Sequence, residues 1–113
     1  MDCIFCKIAS GAIPAAKLYE DPEVVAFRDL HPQAPTHFLV IPRKHLSSLN
    51  DLTADDEPLI GHILHVAKTL ANQAGIATSG FRTVFNTNAD GGQTVLHLHL
   101  HVLGGRQMSW PPG

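Results

Sequence analysis

The stretch Gln93–Leu103, QTVLHLHLHVL, constrains this chain more than any other. Leu96, Leu98, Leu100 and Val102 alternate with His97, His99 and His101, so one extended strand would put the aliphatic residues on one face and the histidines on the other. The aliphatic face reads as core. A strand face that merely met water would carry Thr, Lys or Glu, so three histidines in strict alternation point to a functional site. The 113 residues hold 8 histidines, as many as Lys and Arg together. Imidazole titrates near neutrality, binds metals and shuttles protons.

Strand geometry narrows the chemistry. Same-face neighbours stand about 6.6 Å apart and His97 about 13 Å from His101, whereas zinc holds its nitrogen ligands at about 2.0–2.1 Å. A three-histidine metal site is therefore disfavoured. A row of imidazoles suits an elongated anion, with one ring attacking and another binding or protonating oxygens. Just upstream, Asp90-Gly91-Gly92-Gln93-Thr94 reads either as a plain turn or as a phosphate cradle, where glycines let backbone N–H groups approach closely. Thr94 faces away from the histidines by simple alternation, unless a bulge opens the strand.

The rest of the chain supplies one domain without repeats or linkers. DCIFCKIAS (2–10) reads as a short helical turn ended by Gly11 and Pro14. Lys17–Glu20 and Glu23–Asp29 flank the turn signal Asp21-Pro22 and read as a hairpin. His31-Pro32-Gln33-Ala34-Pro35 is a rigid loop, and His37–Ile41 a strand stopped by Pro42. Thr53 and Asp56 resemble a capping box ahead of the one long helix, whose core stripe is Leu59, Ile63, Ala67, Leu70 and Ala74, ending at Gly75. His62 and His65 fall toward its other, solvated side. Arg82–Asn86 and Gln93–Leu103 are the last strands, joined by Thr87–Gly92. The order predicts an α+β domain with a mainly antiparallel sheet and a helix on one face.

Composition excludes several classes. With 8 Lys+Arg against 10 Asp+Glu, the chain lacks the basic excess of a nucleic-acid binder. No apolar run reaches the roughly 18 residues of a membrane span. Met1-Asp2-Cys3 does not read as a signal peptide, so a cytoplasmic location is the expectation.

The run GGQTVLHLHLHVLGGRQMSWPPG, together with CIFCKI and AFRDLHPQAPTHFLVIPRKH, resembles the histidine triad family over essentially the whole chain. It is most similar to the branch of histidine triad nucleotide-binding proteins that hydrolyse nucleoside phosphoramidates. The resemblance implies a histidine triad fold of about five strands, a homodimer with one sheet continued across it, a purine nucleotide substrate, and a covalent nucleotidyl-histidine. It implies His99 as nucleophile with its other ring nitrogen donating to a backbone carbonyl, His101 on the phosphate oxygens, His97 supporting from behind, His37 close by, and Thr94 assisting the departing amine. For the nucleotide it implies Phe5, Ile8, Phe27 and Leu30 around the base and Asp29 on the ribose. Asn86 would lie near ribose and phosphate, with Gly92 and Gln93 in the cradle and Trp110 reaching in from a partner subunit. Read from the residues alone, Phe5, Ile8, Phe27 and Leu30 are core and Asp29 a loop cap; Arg28 receives no role.

Cys3-Ile4-Phe5-Cys6 does not sit in a thioredoxin-like pattern. Its thiols are either plain packing groups or zinc ligands. The resemblance implies the second through Cys3, Cys6, His45 and His97, a closed structural set needing no part in the chemistry. The leading expectation is a phosphoramidate hydrolase requiring no cofactor for its chemical step. A nucleotide-binding scaffold with incidental turnover is the runner-up, and a zinc hydrolase using the triad is disfavoured.

Overall fold

The computed structural model describes residues 3–113. Helix α1 spans Ile4–Ser10, followed by strands β1 (Lys17–Glu20), β2 (Val24–Arg28) and β3 (Thr36–Pro42). Helix α2 (Glu57–Gln73) leads to β4 (Phe81–Phe85) and β5 (Leu100–Gly104). All neighbouring strands are antiparallel in the order β1-β2-β3-β5-β4. The expected α+β architecture, with five strands, one long helix and a short N-terminal helix, is what the chain adopts.

The two central strands are apolar on both faces because each face has a helix to cover it. Val24, Ala26, Phe38, Val40, Leu100 and Val102 pack under α2. Val25, Phe27, Leu39 and Ile41 turn the other way, toward Phe5, Ile8 and Ala9 of α1. That explains the unbroken VVAF and FLVI runs, which a strand with one wet face would not show. Period-two alternation thereby divides the sheet into a structural side under α2 and a side shared by α1 and His101.

The N-terminus of α2 forms as expected: the Thr53 backbone N–H donates to the Asp56 carboxylate at 3.0 Å. Its stripe departs from the expectation at one end. Ile63, Ala67 and Leu70 are buried with Val66 and Ala71, but Ala74 is exposed. Helical geometry stops at Gln73, Gly75 takes φ of 78°, and Ile76 folds back so that its N–H reaches Ala71 O at 3.1 Å. Ile76, not Ala74, closes the core there. His62 also departs from a bare solvated role: its Nε2 lies 2.6 Å from Asp21 Oδ2, tying α2 to the β1–β2 turn.

The folded-back Ile76 explains a glycine. A Cβ on Gly104 would lie 2.7 Å from Ile76 Cδ1 and 3.0 Å from its Cβ, whereas one on helical Gly61 would meet nothing within 4 Å. Gly104→Ala is expected to destabilise by about 1–3 kcal/mol through overpacking. Gly61→Ala is expected to stabilise by about 0.5–1 kcal/mol through helix propensity. Urea denaturation of the two variants checks both signs, and equal effects would contradict this packing.

The expected strand Gln93–Leu103 is corrected most. The ladder begins only at Leu100, and residues 95–97 bend. Leu98, Leu100 and Val102 are buried as expected, but Leu96 is 61% exposed. The cause lies at the end of β3: Pro42 has no N–H to give, and its carbonyl is held by His97 Nε2 at 2.8 Å. The Leu98 N–H turns instead to Leu46 O at 2.6 Å, and the chain before Leu100 leaves the sheet.

Candidate active site

This departure gives each triad histidine a different environment. His101 stays on β5, its Nδ1 2.9 Å from Nε2 of His37 on β3. His99 and His97 lie on the bent approach, 5% and 0% exposed. The Phe5 ring of α1 packs edge-on against His99 at 5.1 Å and against His97 at 5.9 Å.

Backbone partners fix the proton on each ring, because a carbonyl only accepts and an amide N–H only donates. His99 Nδ1 is 2.7 Å from His97 O, so Nδ1 carries the proton and Nε2 keeps its lone pair. His97 Nε2 is 2.8 Å from Pro42 O, so the free lone pair of His97 is on Nδ1. The Gln33 N–H donates to His37 Nδ1 at 3.0 Å, which places the His37 proton on Nε2. That proton is donated to His101 Nδ1, leaving N–H on His101 Nε2. Two neighbouring imidazoles thus differ: buried His99 presents a base, half-buried His101 a donor.

The electrostatics keep these rings neutral. Burial pushes His99, His97 and His37 below the ordinary imidazole value. Burial, then the neighbouring rings of His99 and His37, bring His101 down to about 4, with Asp29 opposing. Linked to folding, the sign is definite. Between about 4 and the ordinary 6.5 of the unfolded chain, the unfolded state binds the extra proton. Stability present above 6.5 is therefore lost as the pH falls toward 4, and His37 adds in the same direction. Urea denaturation from about pH 7.5 to about pH 4.5 is expected to show that decline, with a shallower slope in His101→Gln. An identical slope in the variant would contradict it.

The rings of His99 and His101 open onto a cleft of about 280 Å³ between α1 and the sheet. Of the residues expected around a nucleotide, Phe5, Ile8, Phe27, Asp29, Leu30, Thr94, His99 and His101 line it together. Phe5, Ile8 and Phe27 are at once core and wall, at 5–7% exposure, whereas Leu30 stands at the rim, 86% exposed. Asp29 accepts the His31 N–H at 2.8 Å and keeps its second oxygen 3.4 Å from His37 Nε2. Thr94 reaches the cleft because its segment is not strand.

The remaining expected residues lie outside that lining. The Gln93 carboxamide donates to Ser47 O and Val95 O and accepts the Asn88 N–H, so its side chain braces the loop before the triad. Gly92 belongs to the same turn at φ of 75°. Asn86 follows β4 half-buried, and Trp110 is 83% exposed on the tail. His31 and Arg28 line the cleft without having been singled out. For His31 the available signal was its place two residues after Asp29 in a proline-fixed loop.

Cys3, Cys6, His45 and His97 form a second cluster behind the triad, with one ligand atom from each within 4.8 Å of all the others. His97 Nδ1 lies 3.3 Å from Cys3 Sγ, 3.5 Å from Cys6 Sγ and 3.1 Å from His45 Nδ1; Cys6 Sγ lies 3.4 Å from His45 Nδ1. Ligands at zinc bond lengths on a tetrahedron stand about 3.3–3.8 Å from one another. The set fits zinc in chemistry and spacing, and the bond from His97 to Pro42 O is the outer partner such a ligand keeps. Asp29, His37 and His101 also lie within 4.8 Å of one another. There the Gln33 amide holds the His37 proton on the inward-facing nitrogen, so this second trio reads as a hydrogen-bond relay.

An antiparallel α+β chain with a row of histidines from its last strand and the bent segment before it, two of them lining a cleft between the sheet and α1, defines the class. Comparison with known proteins agrees. The family model described as the scavenger mRNA decapping enzyme C-terminal binding domain matches residues 2–110. A histidine-triad-like protein of Synechococcus elongatus is 53% identical over 112 residues, 99% of this chain and 97% of its own length. A HIT family hydrolase of Legionella pneumophila superposes with a TM-score of 0.97 at 56% identity, covering 99% of this chain and all of the other. A histidine triad protein of Clostridium difficile follows at 0.93 and 49%, covering 96% and 95%. The chain belongs to the histidine triad family.

Proposed function

We propose that this protein hydrolyses purine nucleoside 5′-phosphoramidates, releasing the nucleoside monophosphate and an amine. The observation that carries the reading is the proton arrangement of adjacent rings: a lone pair on His99 Nε2 beside an N–H on His101 Nε2, both on residues lining the cleft. His99 Nε2 attacks the α-phosphorus, a P–N bond forms to the imidazole, and the substrate P–N bond breaks. His101 Nε2–H holds a phosphate oxygen and gives its proton to the departing amine, with Thr94 assisting. The expected Gly92–Gln93 cradle takes no part, because those N–H groups donate to Ala89 O and Asn88 O. As the new bond forms, the positive charge on His99 is met at Nδ1 by His97 O. Water then attacks phosphorus and returns a proton to His101 Nε2, the P–Nε2 bond to His99 breaks, and the nucleotide leaves. His37 holds His101 in its donor tautomer.

The base would sit against Phe5, Ile8, Phe27 and Leu30, and the ribose against Asp29, with Asn86 nearby. The chemical step needs no cofactor. In this reading Cys3, Cys6, His45 and His97 hold a structural zinc, whose chemistry is to join α1 to the triad segment. A homodimer completes the site through Trp110: this exposed indole touches no part of its own cleft, and β4 leaves one edge of the sheet open. Among the described residues no helix is long and apolar enough to cross a membrane, and cysteines held as thiolates on zinc suit the cytoplasm.

The test is a rapid-quench reaction with label in the α-phosphate of adenosine 5′-phosphoramidate. Label retained on the protein, labile to acid and stable to alkali, is the expected covalent adenylyl-histidine. Release of AMP without such an intermediate would favour direct attack by water, and tight AMP binding without turnover would favour a binding module.

A further inference from the structure

His31 is an imidazole at the rim of the nucleotide cleft that the chemistry above does not use. Its backbone is held on both sides: the N–H donates to Asp29 Oδ1 at 2.8 Å, and the carbonyl accepts from Gln33 Nε2 at 2.9 Å. Pro32 restricts it further. Its ring, by contrast, is exposed and has no hydrogen-bond partner among the described residues. An exposed imidazole carried on a pinned backbone beside a binding cleft is organised to meet a ligand.

What it would meet follows from what the cleft lacks. Its hydrogen-bonding side chains are Arg28, Asp29, His31, Thr94, His99 and His101. Thr94, His99 and His101 belong to the phosphate. Arg28 shares the parity of Val24 and Ala26 on β2, and so projects toward α2, where it also lines a depression with Leu70 and Gln73. Asp29 and His31 remain. Asp29 as a carboxylate only accepts, and one of its oxygens is already engaged by the His31 N–H. A ribose diol that donates to Asp29 still has hydroxyl oxygens that need a donor, and the His31 ring is the side chain left to supply one.

We propose that His31 is a specificity-determining residue that acts with Asp29 to read the ribose hydroxyls of the nucleotide. This rests on the nucleotide reading above. The pairing makes the cleft selective for ribonucleotides over their deoxy counterparts, through a side chain outside the triad.

The experiment compares KM and kcat for adenosine 5′-phosphoramidate and its 2′,3′-dideoxy analogue in wild type, His31→Ala and His31→Asn. The substitutions leave both backbone hydrogen bonds in place. His31→Ala is expected to raise KM for the ribonucleotide about 5- to 10-fold, the worth of one hydrogen bond, with kcat within about twofold. KM for the dideoxy analogue should not move, and His31→Asn should restore most of the difference. An equal rise for both substrates would show a merely structural role, and no rise for the ribonucleotide would also overturn the proposal. If wild type turned over neither substrate, the phosphoramidase reading would fall. The same comparison, read as Kd for AMP against 2′,3′-dideoxy-AMP, would still decide the role of His31.

Discussion

His99→Ala is expected to lower phosphoramidate turnover by about 10⁴-fold or more, a loss of about 5.5 kcal/mol of transition-state stabilisation. The size follows from the arrangement of the site. His99 has one lone pair, on Nε2, and the other nitrogen is committed to His97 O. His101 cannot stand in, because His37 donates to its Nδ1 and leaves its Nε2 protonated. His97 cannot either, because its lone pair faces the cysteines. Truncation also leaves a cavity beside Phe5, so His99→Gln, closer in volume, is the companion variant. Both should bind AMP within about tenfold of wild type while forming no labelled intermediate. A fall of less than about tenfold in either variant would remove His99 from the nucleophile's role.

Removal of metal is expected to have the largest effect on stability and little on chemistry. The four candidate ligands come from α1, from the loop after β3 and from the triad segment, so an ion there joins chain positions 94 residues apart. A ligand present at a thousand times its Kd, bound only by the folded state, contributes about 4 kcal/mol. For a domain of this size that corresponds to a Tm difference of about 10–20 °C. Protein purified without chelator should carry about one zinc per chain. Chelation, or Cys3→Ser with Cys6→Ser, should lower Tm by that amount while turnover per folded molecule at 25 °C, about room temperature, changes less than about threefold. Unchanged Tm and no metal on purification would make the thiols packing groups. Loss of turnover in a fully folded, metal-free protein would put the ion in the chemistry.

Much of the scaffold was legible because its signals are local. Asp21-Pro22 between two short β-rich runs marked the hairpin, and Thr53 with Asp56 marked the 3-10 turn that leads into α2 at Glu57. The alternation of Leu100, His101 and Val102 was read correctly for the part that is strand. It misled at Leu96, because periodicity within one segment does not reveal where its neighbour stops offering hydrogen bonds. The end of β3 at Pro42 decided that, some fifty positions away. The membership of the cleft and of the cysteine cluster was accessible through resemblance, since those residues lie in short recognisable blocks. The carbonyl expected at the second nitrogen of His99 is there, but which carbonyl it is, and the tautomers of His97, His37 and His101, were not legible, because the groups that set them are the Gln33 amide and the carbonyls of Pro42 and His97. A backbone group carries no residue-type signature, and only the folded chain shows where it points.

The bend at residues 95–97 has a consequence for how this motif can vary. Had the segment stayed flat, its three histidines would be interchangeable parts, and the loss of one could be tolerated by a shift in register. With the segment bent, His97 answers to the Pro42 carbonyl, His99 to the His97 carbonyl, and His101, still on β5, to the ring of His37. A motif that is periodic when written is therefore aperiodic in the fold: one ring is tied to Pro42 beside the cysteines, one turns a lone pair to the cleft, one turns an N–H there. Exchanging any two of their environments would leave the letters unchanged and the device broken.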